Sequence, residues 1–254
     1  MSCVTKFGLL VYQPNYYYYV QHFLHPTCQN CPHQKTPLLS CCTSTELDML
    51  ASQKSVQFYQ RGQAIYQQGN KVLGLHCVHQ GRIKLSKIGG DNKEHIVHLV
   101  RPGEVIGYRA LLDGGRYSSS AVALEDSVVC FVPRLDFVGL LQSNQQFSNA
   151  LLRLLATSLG QAEEQLLELA YKPVRERLAG ALALLQRTYG EPAATEPFTM
   201  MLTRDDLAAL VGTAKETVSR LLSEFKDAGY LATRGSRVTI LRPDCLVSIA
   251  TRYD

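Results

Sequence analysis

The spacing of hydrophobic residues divides the chain into a strand-rich part and a helical part. Over residues 56–138, short β-prone runs alternate with glycine-containing turns, a pattern typical of an antiparallel sandwich or barrel. The run Gly81–Ser86 alternates apolar and polar residues, as expected for a sheet with one solvated face. Helical spacing then begins near Gln146, and a further helix is predicted over Val174–Tyr189. The pattern therefore predicts an α+β fold.

The helix predicted over residues 146–170 carries two apolar stripes. One stripe contains Phe147, Leu151 and Leu154 and can pack on the chain's own β domain. The other follows steps of three and four residues, which is the heptad spacing of a coiled-coil seam. We expect this second stripe to join two copies in a symmetric homodimer, although a helix packed only on its own domain is the alternative. The expected dimer interface consists of Leu152, Leu155, Leu159, Ala162, Leu166 and Leu169.

Two helix starts follow one another near the C-terminus. Thr203 is followed three residues later by Asp206, and Thr213 by Glu216, which is the spacing of a capping box. Two short helices joined by a glycine-containing turn predict a helix-turn-helix, whose second helix can enter the major groove of DNA. The run Leu231–Ile240 contains a central turn and predicts a β-hairpin wing. The proline-rich stretch at residues 191–197 is interpreted as a linker or loop.

The second of these helices has an outer face that suits base reading. Arg220 can make paired hydrogen bonds to guanine, Glu216 can accept one from cytosine, and Ser219 can donate or accept. The basic side chains around them suit phosphate contacts, which hold register without reading sequence. A surface helix of this composition also arises by chance. The predicted dimer favours the DNA-binding interpretation, because it would carry two such helices. The candidate DNA-binding residues are Arg204, Thr213, Lys215, Glu216, Ser219 and Arg220.

Composition excludes some classes of function. The chain has 254 residues, 46% apolar and 19% charged, with a formal net charge of +4, which permits a nucleic-acid partner. It has neither about 18 consecutive apolar residues nor a basic N-terminal region followed by an apolar run. We therefore expect a cytoplasmic protein with no membrane partner. No HExxH motif, phosphate-binding glycine loop or Ser-His-Asp pattern stands out, so no enzyme is predicted.

The eight cysteines are the most informative feature of the composition. Cys28 and Cys31 form a CxxC motif, which Cys41 and Cys42 follow. Because cytosolic thiols stay reduced, such a group indicates a metal, an iron-sulfur cluster or redox chemistry before structural disulfides. A zinc site built from these four cysteines, a thiol switch, and no role at all remain open. The tyrosine run at residues 16–19 is interpreted as packing. The same interpretation is given to His33, His76, Cys77, His79 and Cys245.

The order of a β domain, a long dimer helix, a helix-turn-helix and a wing, with the run Leu202–Leu222, resembles the Crp-Fnr family of transcription regulators. The resemblance covers roughly residues 46–254. It implies a cysteine-rich segment at residues 1–45, a β-roll sensor domain at 46–145, a dimerisation helix at 146–171 and a winged helix-turn-helix domain at 172–254. It also implies a homodimer that binds promoter DNA and contacts RNA polymerase.

Two groups of residues resemble the Fnr branch of that family. Glu216, Ser219 and Arg220 occupy the positions that read a TTGAT-like half-site of an inverted repeat, whereas the cyclic-AMP branch has glycine at the serine position. In the oxygen-sensing Fnr proteins, three N-terminal cysteines and one strand cysteine ligate a 4Fe-4S cluster, and Cys130 falls at the strand position. The implied ligands are Cys28, Cys31, Cys130 and either Cys41 or Cys42, since one cube needs four thiolates.

The chain also departs from its relatives. The third N-terminal cysteine lies farther from the CxxC than usual, and Ala162 stands where the oxygen sensor has an acidic residue, so dimerisation is expected to depend less on a cluster. Tyr108 and Tyr117 replace the ribose-binding glutamate and phosphate-binding arginine of the cyclic-nucleotide branch. An unpaired phosphate is unfavourable in a pocket, which disfavours a cyclic nucleotide, although Arg116 is adjacent. A small organic effector in the β roll, with structural cysteines, is the alternative to a cluster.

Overall fold

The computed structural model describes residues 28–190 and 197–251. The tyrosine run at residues 16–19 and residues 191–196 of the predicted linker therefore lie outside the described residues. The described residues form an α+β fold with a strand-rich domain, a long helix and a C-terminal helical region, as predicted. None of their helices is both long and apolar enough to cross a membrane.

The β domain consists of two four-stranded antiparallel sheets, which is the sandwich of the two predicted alternatives, a sandwich or a barrel. One sheet has the order β1-β8-β3-β6 and the other β2-β7-β4-β5. Alternating residues such as Ile83, Val100 and Val129 are fully buried in the core of the domain, because successive strand residues point to opposite faces. The strands are β1 Ser55–Tyr59, β2 Ala64–Tyr66, β3 Gly74–Gln80, β4 Ile83–Ile88, β5 Glu94–Val100, β6 Val105–Ile106, β7 Ser120–Ala123 and β8 Ser127–Pro133.

Short helices surround this domain. A 3₁₀ turn at Leu39–Cys41 is followed by α1 (Ser44–Gln53), which begins with a capping box between Thr43 and Glu46. Helix α2 (Tyr108–Asp113) and helix α3 (Arg134–Ser143) complete the set. Leu47 and Leu50 of α1 are buried in the same hydrophobic core as the strands. The cysteine-containing segment before α1 is thereby fixed to the β domain.

The long helix α4 spans Gln145–Tyr171. Its first turns bury Phe147 and Leu151 against the β domain, while every side chain over residues 161–171 is exposed. Of the predicted seam, Leu155 is half-buried on the chain's own core. The other seam residues are exposed in this single chain, and Leu152, Leu159 and Leu166 each keep more than 60% of their surface. The stripe that contains Phe147, Leu151 and Leu154 thus packs on the β domain as expected. The dimer interface at the seam remains a prediction.

The C-terminal region begins with α5 (Val174–Tyr189) and contains the predicted helix-turn-helix. Its two helices are α6 (Arg204–Val211) and α7 (Lys215–Asp227), separated by Gly212 in the left-handed conformation. The predicted wing is confirmed as β10 (Leu231–Arg234) and β11 (Arg237–Ile240). A third strand, β9 (Thr199–Met201), pairs with β11 and was not predicted. The described chain ends with α8 (Pro243–Ala250).

Only one of the two predicted capping boxes forms in this region. The hydroxyl of Thr203 accepts from the amide of Asp206, whose carboxylate accepts from the Thr203 amide in return. The prediction for Thr213 and Glu216 is wrong, because Ala214 is the residue that caps α7 and it has no side-chain acceptor. Glu216 is then the second residue of the helix, where its side chain does not reach back to the cap.

The C-terminal region packs directly on the β domain. The ammonium of Lys84 on β4 lies 2.8 Å from the Asp206 carboxylate on α6 and 3.1 Å from Glu94. Leu99 and Leu124 of the β domain pack against the core of the C-terminal region. These contacts orient the helix-turn-helix against the sheet that contains β4 and β5.

Candidate DNA-binding surface and cysteine-lined sheet face

Helix α7 presents a polar face to solvent because its apolar residues are all turned inwards. Val218, Leu221, Leu222 and Phe225 are buried in the C-terminal core. Lys215, Glu216 and Arg220 are exposed, and Ser219 lies half-buried beside them. This placement brings the three candidate base-reading residues onto one accessible face.

Contacts within the protein currently occupy several of these side chains. Lys215 forms an ion pair of 2.7 Å with Asp205, which raises the pKa of the lysine, and Arg220 pairs with Glu224 one turn later. The Ser219 hydroxyl donates to the carbonyl oxygen of Lys215 over 2.9 Å. A ligand with denser negative charge, such as a phosphate, can replace these exposed carboxylate partners at little cost, since exposed ion pairs contribute little.

The remaining candidates lie at the edge of this face. Arg204 and Thr213 are half-buried, and one terminal nitrogen of the Arg204 guanidinium is buried without a hydrogen-bond partner among the described residues. In the wing, the exposed residues Arg234 and Arg237 lie opposite one another across the strand pair. The recognition helix and the wing therefore both present positive charge to solvent.

A second candidate site lies on the sheet formed by β1, β8, β3 and β6. A single row of directly opposed residues crosses this sheet in the order Val56, Cys130, Cys77 and Val105. Cα atoms of directly opposed residues in antiparallel strands lie about 4.5–5.5 Å apart, so the two cysteines of the row are neighbours. The local sequence gives Cys77 no role, because its pairing with Cys130 depends on the register of two distant strands.

The N-terminal cysteine segment lies over this face. The thiol of Cys31 is 3.7 Å from Nδ1 of His79, which alternation along β3 places on the same face as Cys77. His33 Nε2 lies 2.9 Å from the carbonyl oxygen of His79. Close approach at this point requires glycine at Gly103, whose φ is +88° and whose missing Cβ would lie 2.9 Å from Thr36. His33 and His79 thus pack as expected, and they hold the CxxC motif against the sheet.

The thiols of this region influence one another electrostatically. Burial raises the pKa of Cys130, and negative charge at Cys28 and Cys31 raises it further, whereas Lys54 lowers it. Burial likewise raises the pKa of Cys42 to about 12, with further contributions from Glu46, Cys41 and Cys28. The protonated thiol is therefore favoured at Cys42 and Cys130, and a thiolate at either position needs a cation to stabilise it.

The predicted cysteine ligands do not form a compact site for one ion. Cys28 is buried, and the thiol of Cys41 donates to the carbonyl oxygen of Pro37 over 3.2 Å. The thiol of Cys42 points to the carbonyl oxygen of Leu38 at 4.0 Å. Among the described residues, no group of three or more His, Cys, Asp or Glu side chains is arranged to hold a single metal ion.

The interior of the β domain leaves little free space beside a pair of stacked tyrosines. The rings of Tyr66 and Tyr117 stack 3.8 Å apart, and His76 packs beside them with its pKa lowered to about 4 by burial. The cavity bordered by these tyrosines has a volume of about 40 Å³, whereas ligand pockets usually measure roughly 300–1,000 Å³. Arg116 is exposed and donates to the carbonyl oxygen of Gly69 over 2.8 Å.

Comparisons with known proteins agree with this architecture. Residues 56–144 match the cyclic nucleotide-binding domain family, and residues 176–249 match the Crp-like helix-turn-helix domain family. A cyclic AMP receptor protein of Thermus thermophilus is 31% identical over 215 residues, which cover 85% of this chain and 97% of the relative. The fumarate and nitrate reduction regulatory protein of Escherichia coli K12 is 28% identical over 228 residues, covering 88% and 90% of the two chains.

A solved structure shares the fold. It is a transcriptional regulator of the CRP/FNR family from Thermus thermophilus, with a TM-score of 0.66 and 24% identity, and the match covers 78% of this chain and 98% of that one. A relative above 30% identity that is matched over nearly its whole length, together with the helix-turn-helix and β domain described above, establishes the class. The chain belongs to the Crp-Fnr family of DNA-binding transcription regulators, whose members are not enzymes.

Proposed function

We propose that this regulator binds an inverted repeat of TTGAT-like half-sites as a homodimer and that an oxygen- or redox-labile 4Fe-4S cluster controls its binding. The observation that carries the proposal is the placement of the CxxC motif over the sheet face that contains Cys130. The proposed ligands are Cys28, Cys31, Cys130 and a fourth thiol, for which the sequence offers Cys41 or Cys42. Reduced thiols and a DNA target support a cytoplasmic location, and contact with RNA polymerase is the general behaviour of the family.

The donor set fits a cluster better than it fits a single ion. Thiolates are the usual ligands of iron-sulfur clusters. In a 4Fe-4S cube each thiolate binds a different iron, so the sulfur atoms need not converge as closely as the four ligands of one zinc ion. An arrangement that brings thiols to one face, without three of them converging on a point, is compatible with the cube. When bound, the cluster supplies a group whose integrity depends on oxygen.

Asn144 connects the cysteine segment to the long helix. Its side-chain amide donates to the carbonyl oxygen of Cys41 over 3.0 Å and to Glu46 over 2.9 Å. Its side-chain oxygen accepts from the amide of Phe147 over 2.9 Å and caps α4. A shift of the cysteine segment therefore acts on the first turn of α4 through a direct hydrogen bond.

Arg177 connects the other end of α4 to the helix-turn-helix. Its guanidinium donates to the carbonyl oxygens of Leu169 over 2.9 Å and Lys172 over 3.2 Å, both at the end of α4, and to Gly212 over 3.3 Å. The side chain of Leu169 also fills the space that a Cβ on Gly212 would need, at 2.8 Å. Movement of α4 is therefore passed to the turn that precedes the recognition helix, as a ligand-biased two-state switch requires.

The exposed part of α4 supports the homodimer. The seam residues Leu152, Leu159 and Leu166 each keep more than 60% of their surface exposed against the described residues of their own chain. A two-fold partner would bury them and would place two copies of α7 for an inverted repeat. In each copy, Arg220, Glu216 and Ser219 read bases. The backbone contacts near the start of the helix come from Lys215, Arg204 and Thr213.

An absorption spectrum with iron and acid-labile sulfide analysis tests the proposal on protein purified without oxygen. The expected result is about four iron and four sulfide per chain, lost on exposure to air and absent from the Cys130→Ala variant. Cys245→Ala, which changes a cysteine on α8, is the matched control and retains the iron. Colourless protein containing zinc, or protein containing neither metal, would overturn the cluster and favour zinc binding, a thiol switch or an organic effector.

A further inference from the structure

Cys77 is the residue directly opposite Cys130 on neighbouring antiparallel strands. Both side chains lie in the row that faces the N-terminal segment, and neither belongs to the CxxC motif. Cys77 packs partly buried against the main core, which also includes Cys28. A partly buried polarisable thiol beside a proposed thiolate ligand is a chemical feature that core packing alone does not require.

Strand register and side-chain contacts identify which thiols lie together. Cys77 lies directly opposite Cys130, and the thiol of Cys31 contacts His79, which lies on the same face of β3 as Cys77. Cys28 is buried in the hydrophobic core against which Cys77 packs. The CxxC motif and the two strand cysteines therefore meet at one face of the sheet.

Cys41 and Cys42 contact a different part of the chain. The thiol of Cys42 points to the carbonyl oxygen of Leu38 at 4.0 Å. The thiol of Cys41 donates to the carbonyl oxygen of Pro37, just before the 3₁₀ turn. These two thiols are thus directed to the backbone of their own segment, whereas the CxxC motif lies over the strand cysteines.

We propose that Cys77, together with Cys28, Cys31 and Cys130, supplies the four thiolates of the iron-sulfur cluster, so that Cys41 and Cys42 are not ligands. This assignment rests on the proposed cluster function. Each thiol releases its proton to solvent as its sulfur bonds to iron, because the thiolate is the form that binds a metal.

The proposal also accounts for the long spacing after the CxxC motif. Nine residues separate Cys31 from Cys41, and no other cysteine lies between them. A thiol from β3 removes the need for a loop that brings either residue back to the CxxC. Two ligands on paired strands are also held more rigidly than ligands on a loop.

Anaerobic reconstitution of the full-length protein with ferrous iron and sulfide separates these possibilities. The variants are Cys77→Ala, Cys77→Val, Cys41→Ala, Cys42→Ala, a Cys41→Ala/Cys42→Ala double variant and Cys245→Ala. Iron and sulfide content and the Mössbauer spectrum are measured, and circular dichroism melting verifies the fold of each apoprotein. Two substitutions at position 77 are used because valine retains the strand preference and apolar volume of a buried β residue.

We expect both Cys77 variants to fall at least threefold in iron content. The Cys41, Cys42, double and Cys245 variants retain the wild-type stoichiometry and spectrum. Full iron content in a folded Cys77→Val protein, with loss in the Cys41/Cys42 double variant, would overturn the assignment while leaving the cluster function intact. Absence of a cluster from the wild-type protein would overturn both the ligand assignment and the proposed cluster function. The failure of the assignment alone and the failure of the proposed function are therefore distinguishable.

Discussion

Asn144 donates a hydrogen bond to the carbonyl oxygen of Cys41 and, with the other end of the same amide, caps helix α4. The cysteine segment and the predicted dimer helix therefore share one side chain. An Asp at position 144 would keep the acceptor that caps α4 but lose the donor to Cys41, and it would face the carboxylate of Glu46. This substitution separates helix capping from communication between the two elements.

We expect Asn144→Asp to assemble a cluster normally but to show a reduced response of DNA binding to its loss. The ratio between the Kd of air-exposed protein and the Kd of cluster-containing protein should be at least threefold smaller than the same ratio in the wild type. Asn144→Ala is the matched comparison, since it removes both contacts and also lowers the free energy of unfolding by about 1 kcal/mol through the lost cap. An unchanged response in a folded Asn144→Asp protein would show that this hydrogen bond does not transmit cluster loss to helix α4.

The exposed leucines of α4 give a direct prediction about assembly. Leu159→Glu places a charge in the centre of the proposed seam, and burial of each leucine contributes about 1.5–3 kcal/mol. We expect the variant to sediment as a monomer at concentrations where the wild type is a dimer. Leu135→Glu, at a leucine of α3 that is 85% exposed, is the control and should remain dimeric. A dimeric Leu159→Glu protein in analytical ultracentrifugation would place the interface elsewhere.

Arg220 is expected to discriminate base pairs within the half-site. Arg220→Ala should lower affinity for a TTGAT inverted repeat by about 1–3 kcal/mol, a loss of roughly 5- to 150-fold, while affinity for unrelated DNA changes little. The partner of Arg220 provides the matched control, because Glu224→Ala frees the guanidinium without removing it. Fluorescence anisotropy measures both affinities. Specific binding at wild-type strength by folded Arg220→Ala protein would refute the role.

The ion pair between Lys84 and Asp206 predicts a pH dependence. Burial opposes ionisation of Asp206, but hydrogen bonds from Lys84 and Thr203 outweigh it and keep the pKa of Asp206 below its ordinary value of 3.8. A carboxyl with a depressed folded pKa stabilises the folded state above its unfolded pKa, and this contribution is lost as pH falls through the folded value.

Asp206→Asn should therefore lower the free energy of unfolding by about 1–3 kcal/mol at pH 7. The difference between the two proteins should narrow once the pH falls below about 4. Urea unfolding at several pH values measures it, and Asp205→Asn, at the exposed neighbouring carboxylate, is the control. If the difference in the free energy of unfolding stays constant from pH 7 to pH 3, the charge of Asp206 does not contribute to stability.

Local periodicity was sufficient to predict most of the architecture, for a physical reason. Burial of one face makes apolar residues recur every two positions in strands such as β4 and every three to four positions in α4 and α7. The pattern is therefore visible in a short stretch of consecutive residues. The Thr203 cap was also predictable, whereas the predicted Thr213 cap does not form, because the helix begins one residue later and Ala214 is its N-cap. Strand β9 lies next to the proline-rich stretch and is only three residues long, which leaves no periodic signal.

The features that the hydrophobic pattern did not predict depend on contacts between residues that are distant in the sequence. Cys77 and Cys130 are 53 residues apart, and only the register of β3 against β8 makes them neighbours. Alternation did place Cys77 and His79 on one face, but nothing local indicated that Cys31 would lie above them. Lys84 and Asp206 are separated by 122 residues. Their pairing depends on how the C-terminal region packs on the β domain.

The central claim is that loss of the cluster changes DNA binding, and one titration tests it most directly. Affinity of the anaerobically purified protein for a TTGAT inverted repeat is measured by fluorescence anisotropy as air is admitted, with iron content followed in the same samples and a scrambled duplex as the control. We predict that specific affinity falls at least tenfold in proportion to iron loss and returns on reconstitution. Equal specific affinity at full and zero iron content would contradict the account.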